Sequence, residues 1–204
     1  MRIISFVCIF LLVLTGCTKE KTETITPDHS KPNRITLTPI DLSQGEAARF
    51  KPFLGMMSGA FILAYEGSKP YARLDMDIWE NGKKVDSAGS IGDVFFSLEG
   101  QEKSNEIDLI ISIDSVSIEE QKKLSIIKIK TGSGLATYTL PWNSELKASA
   151  LVQNTGTQTF TGEQPVHVLG MHATSANQIN APDLSEDSLS KTEWALVFTL
   201  RFDE

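Results

Sequence analysis

Three histidines, His29, His167 and His172, and two cysteines, Cys8 and Cys17, are the residues of this chain best suited to metal binding. A structural zinc site needs about four Cys or His ligands at close spacing, and these five are scattered along the sequence. His167 and His172 lie on one expected strand with odd spacing, which sends them to opposite faces unless the chain bends at Gly170. No metal and no cofactor are therefore expected. Gly55-Met56-Met57-Ser58-Gly59 approaches a nucleophile elbow, but its serine comes one residue late, and an elbow requires a strand-to-helix turn in an α/β sheet. Paired carboxylates serve glycoside hydrolysis, yet among 26 acidic residues some pair meets the spacing by chance. Gly132-Ser133-Gly134 is followed by neither the lysine nor the helix of a phosphate cradle.

The aromatic residues offer binding chemistry instead. Trp79 alternates away from Leu74, Met76 and Ile78, toward the side that carries Asp75 and Asp77. An indole beside two carboxylates presents an apolar face and one N–H donor, which suits a sugar ring or a peptide. Trp142, directly after Pro141, is a second candidate of the same kind. The plainer alternative has Trp79 closing a hairpin under a loop, with Asp75 and Asp77 paired to Arg73 on a solvated face. A loose calcium shell on the two aspartates is a further alternative.

The leader carries a different chemistry. Met1-Arg2 gives a positive start, Ile3 to Leu14 is apolar, and Leu14-Thr15-Gly16-Cys17 closes the run. About 12 apolar residues fall short of the roughly 17–25 that a spanning helix needs, so the run reads as a secretory signal. Leu-Thr-Gly-Cys resembles the lipobox of bacterial lipoproteins. That resemblance implies removal of residues 1–16 and attachment of acyl chains such as palmitate to Cys17. It also implies residence outside the cytoplasm, on the outer face of the cell membrane, or on the outer membrane of a host that has one. Cys8 lies in the removed leader, so the mature chain keeps no second cysteine and is expected to fold without a disulfide. One acyl chain binds a bilayer only reversibly, whereas the two or three of this family hold durably.

Residues 17–33 form the expected tether. Thr18 to Asn33 holds one aliphatic residue, Ile25, among charged, Thr and Pro residues, too little apolar surface to offset ordering entropy. His29 belongs to it. The formal net charge is −7, and losing Arg2 with the leader makes the mature chain one unit more negative. That sign disfavours nucleic acid as a partner and leaves membrane attachment to the lipid. The expected partners are the membrane, through Cys17, and an envelope protein, peptide or glycan.

Residues 34–204 read as one all-β domain, an antiparallel sandwich or barrel-like sandwich with minor helical turns. Strands are expected at Ile35 to Ile40, Ala60 to Tyr65, Arg73 to Trp79, Lys83 to Ala88, Val94 to Leu98, Ile107 to Ile113, Leu124 to Lys130, Leu135 to Leu140, Val166 to His172 and Trp194 to Phe202. The strongest local signal is Asn81-Gly82 between alternating segments, because a two-residue hairpin turn needs positive φ at both positions. Pro39 restricts its strand to a sheet edge or a strand end. Ser43 to Glu46 resembles a capping box for a brief helix over Glu46 to Phe50, stopped by Pro52 and Gly55. At Ile126-Ile127 the apolar parity changes, which predicts a bulge or a strand buried on both faces. The terminal strand is apolar on both faces and should lie centrally in a sheet. Asn143 to Gln158 and Ala173 to Lys191 read as long loops with a helical turn each. The function expected is a non-catalytic binding module at the cell envelope; the alternatives are an assembly protein that uses strand addition and a hydrolase.

Overall fold

The structure, a computed structural model, describes residues 34–66, 71–97, 102–103, 105–119, 122–161, 164–179 and 182–203. Cys17, the lipobox and the tether lie outside the described residues. The strands are β1 (Arg34–Ile40), β2 (Met57–Glu66), β3 (Tyr71–Glu80), β4 (Lys83–Ile91), β5 (Phe96–Ser97), β6 (Glu102–Lys103), β7 (Glu106–Glu119), β8 (Lys122–Thr131), β9 (Gly134–Pro141), β10 (Ala148–Gln153), β11 (Gln158–Thr161), β12 (Val166–Thr174) and β13 (Trp194–Asp203). They form a six-stranded sheet in the order β11-β1-β2-β7-β8-β9, a five-stranded sheet in the order β10-β12-β13-β3-β4, and the ribbon β5-β6. All pairings are antiparallel. The two large sheets pack face to face as an open sandwich, not a closed barrel.

The core follows from strand periodicity. Every second residue of a strand faces the opposing sheet, and Leu74, Met76, Leu109, Ile111, Ile127, Ile129, Leu196 and Phe198 meet there with no exposure. The strand β13 is third of five and has neighbours along both edges, which explains why its outer residues Ala195, Val197 and Thr199 are also buried. Asn81 (φ 49) and Gly82 (φ 75) supply the two positive dihedrals of the β3-β4 turn. On the β1 edge, β11 pairs only as far as Leu37, so Pro39 falls where that edge is open.

Several elements differ from expectation. Asn143 to Gln158 is not a loop throughout, because β10 occupies Ala148–Gln153 at the edge of the five-stranded sheet. With a single neighbour and residues as small as Ala148, Ser149 and Ala150, it shows little of the apolar alternation that marks a strand. Among the described residues of the Val94 to Leu98 run, Phe96–Ser97 is strand, and Leu98 lies outside the described residues. Val94 and Phe95 are fully buried in a turn, where the Phe95 ring meets Tyr65 edge-on at 4.8 Å. The capping box does not form. Ser43 bonds instead to Asp41, and Gln44 leaves the helix without a side-chain cap. The helix that follows is 3-10, spans Gly45–Phe53 and includes Pro52. The register of β8 runs unbroken through Ile126 and Ile127. Ile127 faces the core, and half-buried Ile126 faces outward.

The described part of the chain enters at Arg34, opposite Glu66, and β2 at that level lies beside the start of β7. Phe95 against Tyr65, and Val94 N–H donating to Ala72 O, place the start of β3 at the same end. The hairpin turn Asn81-Gly82 and the start of β13 therefore sit at the opposite end, roughly 25–30 Å away at about 3.3 Å per residue.

Candidate functional site

The outer face of the five-stranded sheet carries the polar residues singled out from sequence. Asp75 and Asp77 do lie together on β3, but their oxygens are occupied. Asp77, 1% exposed, accepts from Thr199 Oγ1 and Arg201 Nη2 at 3.0 Å through Oδ2. Lys84 Nζ stands 2.6 Å from its Oδ1, an ion-pair distance without the alignment of a hydrogen bond. Asp75 accepts from Ser90 Oγ at 2.8 Å and Arg201 Nε at 2.8 Å, with Arg73 Nε at 3.4 Å. Burial pushes the Asp77 carboxyl up, but Lys84, Thr199 and Arg201 together outweigh it and hold the group below the usual carboxylate value. Donors and cations thus already engage all four oxygens, which leaves no vacant shell for calcium. The cluster ties β3, β4 and β13 together.

The two tryptophans are not brought into one patch. Trp79 packs beneath the segment after β12, against Leu189, Ala195 and Val197, and its indole nitrogen is buried. Trp142 turns the other way, edge-on to Trp194 at 5.8 Å, beside the main core. Trp79, Asp75, Asp77 and Trp142 consequently share no open ligand face.

The histidines hold the larger surprise. The register of β12 slips between His167 and Leu169, at Val168. His167 then pairs with Thr199 and His172 with Ala195, residues of equal parity, so both imidazoles project from the outer face. The bend that permits this lies at Val168, not Gly170. Four strand positions separate them, roughly 13 Å, too far for one ion or one proton relay. Among the described residues no group of three or more His, Cys, Asp or Glu side chains could hold a metal. His167 Nδ1 bonds Thr199 Oγ1 at 3.0 Å and so joins the Asp77 cluster.

His172 stands apart, on the floor of a polar cleft of ≈620 Å³ at the end of the sandwich opposite Arg34. The cleft is built by the segment between β12 and β13. Ser185 caps a single helical turn, Glu186–Leu189, by accepting from Ser188 N, and Leu189 fills the small core under Trp79. Leu184 packs over Gly170. Glu193 Oε2 takes hydrogen bonds from Thr174 Oγ1, Ser175 N and Ser175 Oγ. The hairpin turn secures the wall from outside: Asn81 N–H donates to Glu193 O and Gly82 N–H to Thr192 O, both at 2.9 Å. His172 is 2% exposed, yet its Nε2 has no hydrogen-bond partner among the described residues. Burial lowers its pKa, and the charge of Asp183 partly opposes the change.

The chain was compared with known families, curated proteins and solved structures. None matches. Geometry alone must speak for the site. Sequence reasoning missed the cleft because its residues come from a stretch with no apolar period. The one local signal was Ser185 followed by Glu186 and Asp187, a helix start with acids in its first turn.

Proposed function

We propose that this protein is a lipid-anchored extracytoplasmic lipoprotein whose sandwich domain is a non-catalytic binding module for an envelope protein, peptide or glycan. The observation that carries the reading is the placement of the cleft: Arg34, where the described chain begins, and the His172 cleft lie at opposite ends of the sandwich. An anchor at Cys17 would then join the domain at the pole remote from the cleft, which leaves the cleft unobstructed by the attachment. The separation of His167 from His172 tells against a hydrolase that uses the two imidazoles as a pair, since neither has the other as a relay. The test has two parts in intact cells. Cys17→Ser should move the protein from the bilayer fraction to the soluble fraction. A photocrosslinking residue at Asp183, on the cleft rim, should capture an envelope component that the same probe at Leu135 does not. Membrane sedimentation unchanged by Cys17→Ser sinks the anchor, and equal capture from both positions sinks the cleft.

One further observation favours strand addition as a second reading. The pairing of β2 with β7 stops at Met57 opposite Ile113, while β7 continues to Glu119. Residues 114–119 have no strand on that side among the described residues, and Val116 and Ile118 on this overhang are 41% and 58% exposed. An open apolar strand edge accepts another strand. Concentration-dependent self-association of the full chain, abolished by Ser117→Pro, is the expected result under this reading; a monomer at all concentrations refutes self-pairing.

A further inference from the structure

We propose that the cleft over His172 receives a protonated primary amine, the lysine side chain of a polypeptide partner. This rests on the binding-module reading above and names the chemistry of its ligand. The argument begins with one proton. Thr192 Oγ1 donates to Trp194 O at 3.2 Å, which uses its only hydrogen. Its contact with His172 Nδ1 at 3.1 Å is satisfied together with that bond when Thr192 Oγ1 accepts and Nδ1 carries the hydrogen, and we assign the ring on that basis. That network assigns the tautomer and leaves Nε2 with a bare lone pair. The lone pair has no partner among the described residues and is buried. A buried acceptor without a donor is a standing cost, and a donor brought to it from the cleft removes that cost.

The rim selects which donor. Asp183, Asp187 and Glu193 line the cleft, and Lys191 is the one cation in its lining among the described residues. Lys191 is already engaged, 2.6 Å from Asp187. Acceptors and negative charge therefore prevail, so an anion is disfavoured and a cation favoured. Among the described residues no aromatic ring lines the cleft, so a sugar finds no stacking surface there. An ammonium group carries three donors on a compact head, enough to meet the His172 lone pair and a rim carboxylate together. Burial keeps His172 neutral near pH 7, so the lone pair is present under those conditions.

The test uses the full chain in detergent and three probes: N-acetyl-trilysine amide, the same peptide with acetylated side chains, and spermidine. Trilysine should bind, with Nε2 of His172 shifting in ¹⁵N spectra as its lone pair gains a hydrogen. His172→Leu and Asp183→Asn should each weaken binding at least tenfold. Asp183 is exposed and its Oδ1 accepts from Ser185 N and Ser185 Oγ. Asparagine keeps an oxygen for those donors, and an unchanged urea midpoint of Asp183→Asn separates lost charge from a disturbed wall, while Asp108→Asn on the other sheet should change nothing. Equal binding of the acetylated peptide, or an Nε2 resonance unmoved at saturation, overturns the proposal. Spermidine binding as tightly as trilysine overturns its polypeptide half. If trilysine fails while a probe at Asp183 still captures an envelope component, only the ligand class is wrong; if both fail, the binding-module reading falls with it.

Discussion

Gly82 links the hairpin turn to the cleft wall, and replacing it tests whether that wall is held from outside. Alanine at Gly82 keeps φ near +75, and its Cβ would stand 2.0 Å from Ser190 O, a backbone atom that cannot rotate away. Gly45 is a natural control, with φ +59 and nothing within 4 Å of a new Cβ. Left-handed backbone costs an L-residue about 1–2 kcal/mol, reduced by a few tenths as alanine stiffens the unfolded chain. Gly45→Ala should accordingly lose about 1 kcal/mol. Gly82→Ala carries the same strain and must also push Ser190 aside, which strains the bonds to Thr192 O and Glu193 O. Each is worth about 0.5–1.5 kcal/mol, so the expected total is about 3 kcal/mol. Urea unfolding followed by tryptophan fluorescence measures both, provided the slope with denaturant stays constant. Displacing Thr192 would also free the His172 ring, visible as a changed Nδ1–H signal. Equal losses in the two variants, with that signal unmoved, would refute the claim that the turn braces the wall.

Asp77→Asn should destabilise by about 2 kcal/mol, below the range for a fully buried pair, because Lys84 and Arg201 are part-exposed; urea midpoints decide it. Phe198→Ala, at a fully buried position of the central strand, should cost about 3–5 kcal/mol, whereas Val85→Ala on β4, 54% exposed, should stay within about 0.5 kcal/mol. Burial lowers the pKa of both His167 and His172, so below about pH 6.5 the unfolded chain takes up protons that the folded chain refuses. Stability should be full above that pH and fall as the pH drops beneath it. The variant His167→Gln/His172→Leu should flatten that slope in acid-titrated thermal melts, and an unchanged slope would refute it.

Much of the sandwich was legible because strands announce themselves through alternation and turns through backbone demands. Asn81-Gly82 and the apolar run of β13 each state a requirement that few structures satisfy. Where the signal failed, the cause was tertiary. The strand β10 exists because β12 offers it an edge, and its own small residues say little. The capping box at Ser43 lost to a closer partner, Asp41. The parity of His167 and His172 was inverted by one slipped residue at Val168, invisible in a sequence where Val168 and Leu169 read as ordinary strand. The candidate residues on β3 were placed on the right face, but the segment that roofs Trp79 and the cations that fill Asp75 and Asp77 arrive from elsewhere in the chain.

The position of β1 has a mechanical consequence. Its seven register pairs with β2 run the length of the strand, and the chain arrives at the Arg34 end. A pull exerted between that arrival point and the far pole lies along the strand axis. The ladder is then sheared, with its bonds sharing the load, instead of peeled open one rung at a time. A domain without a disulfide would in this way resist tension by geometry alone.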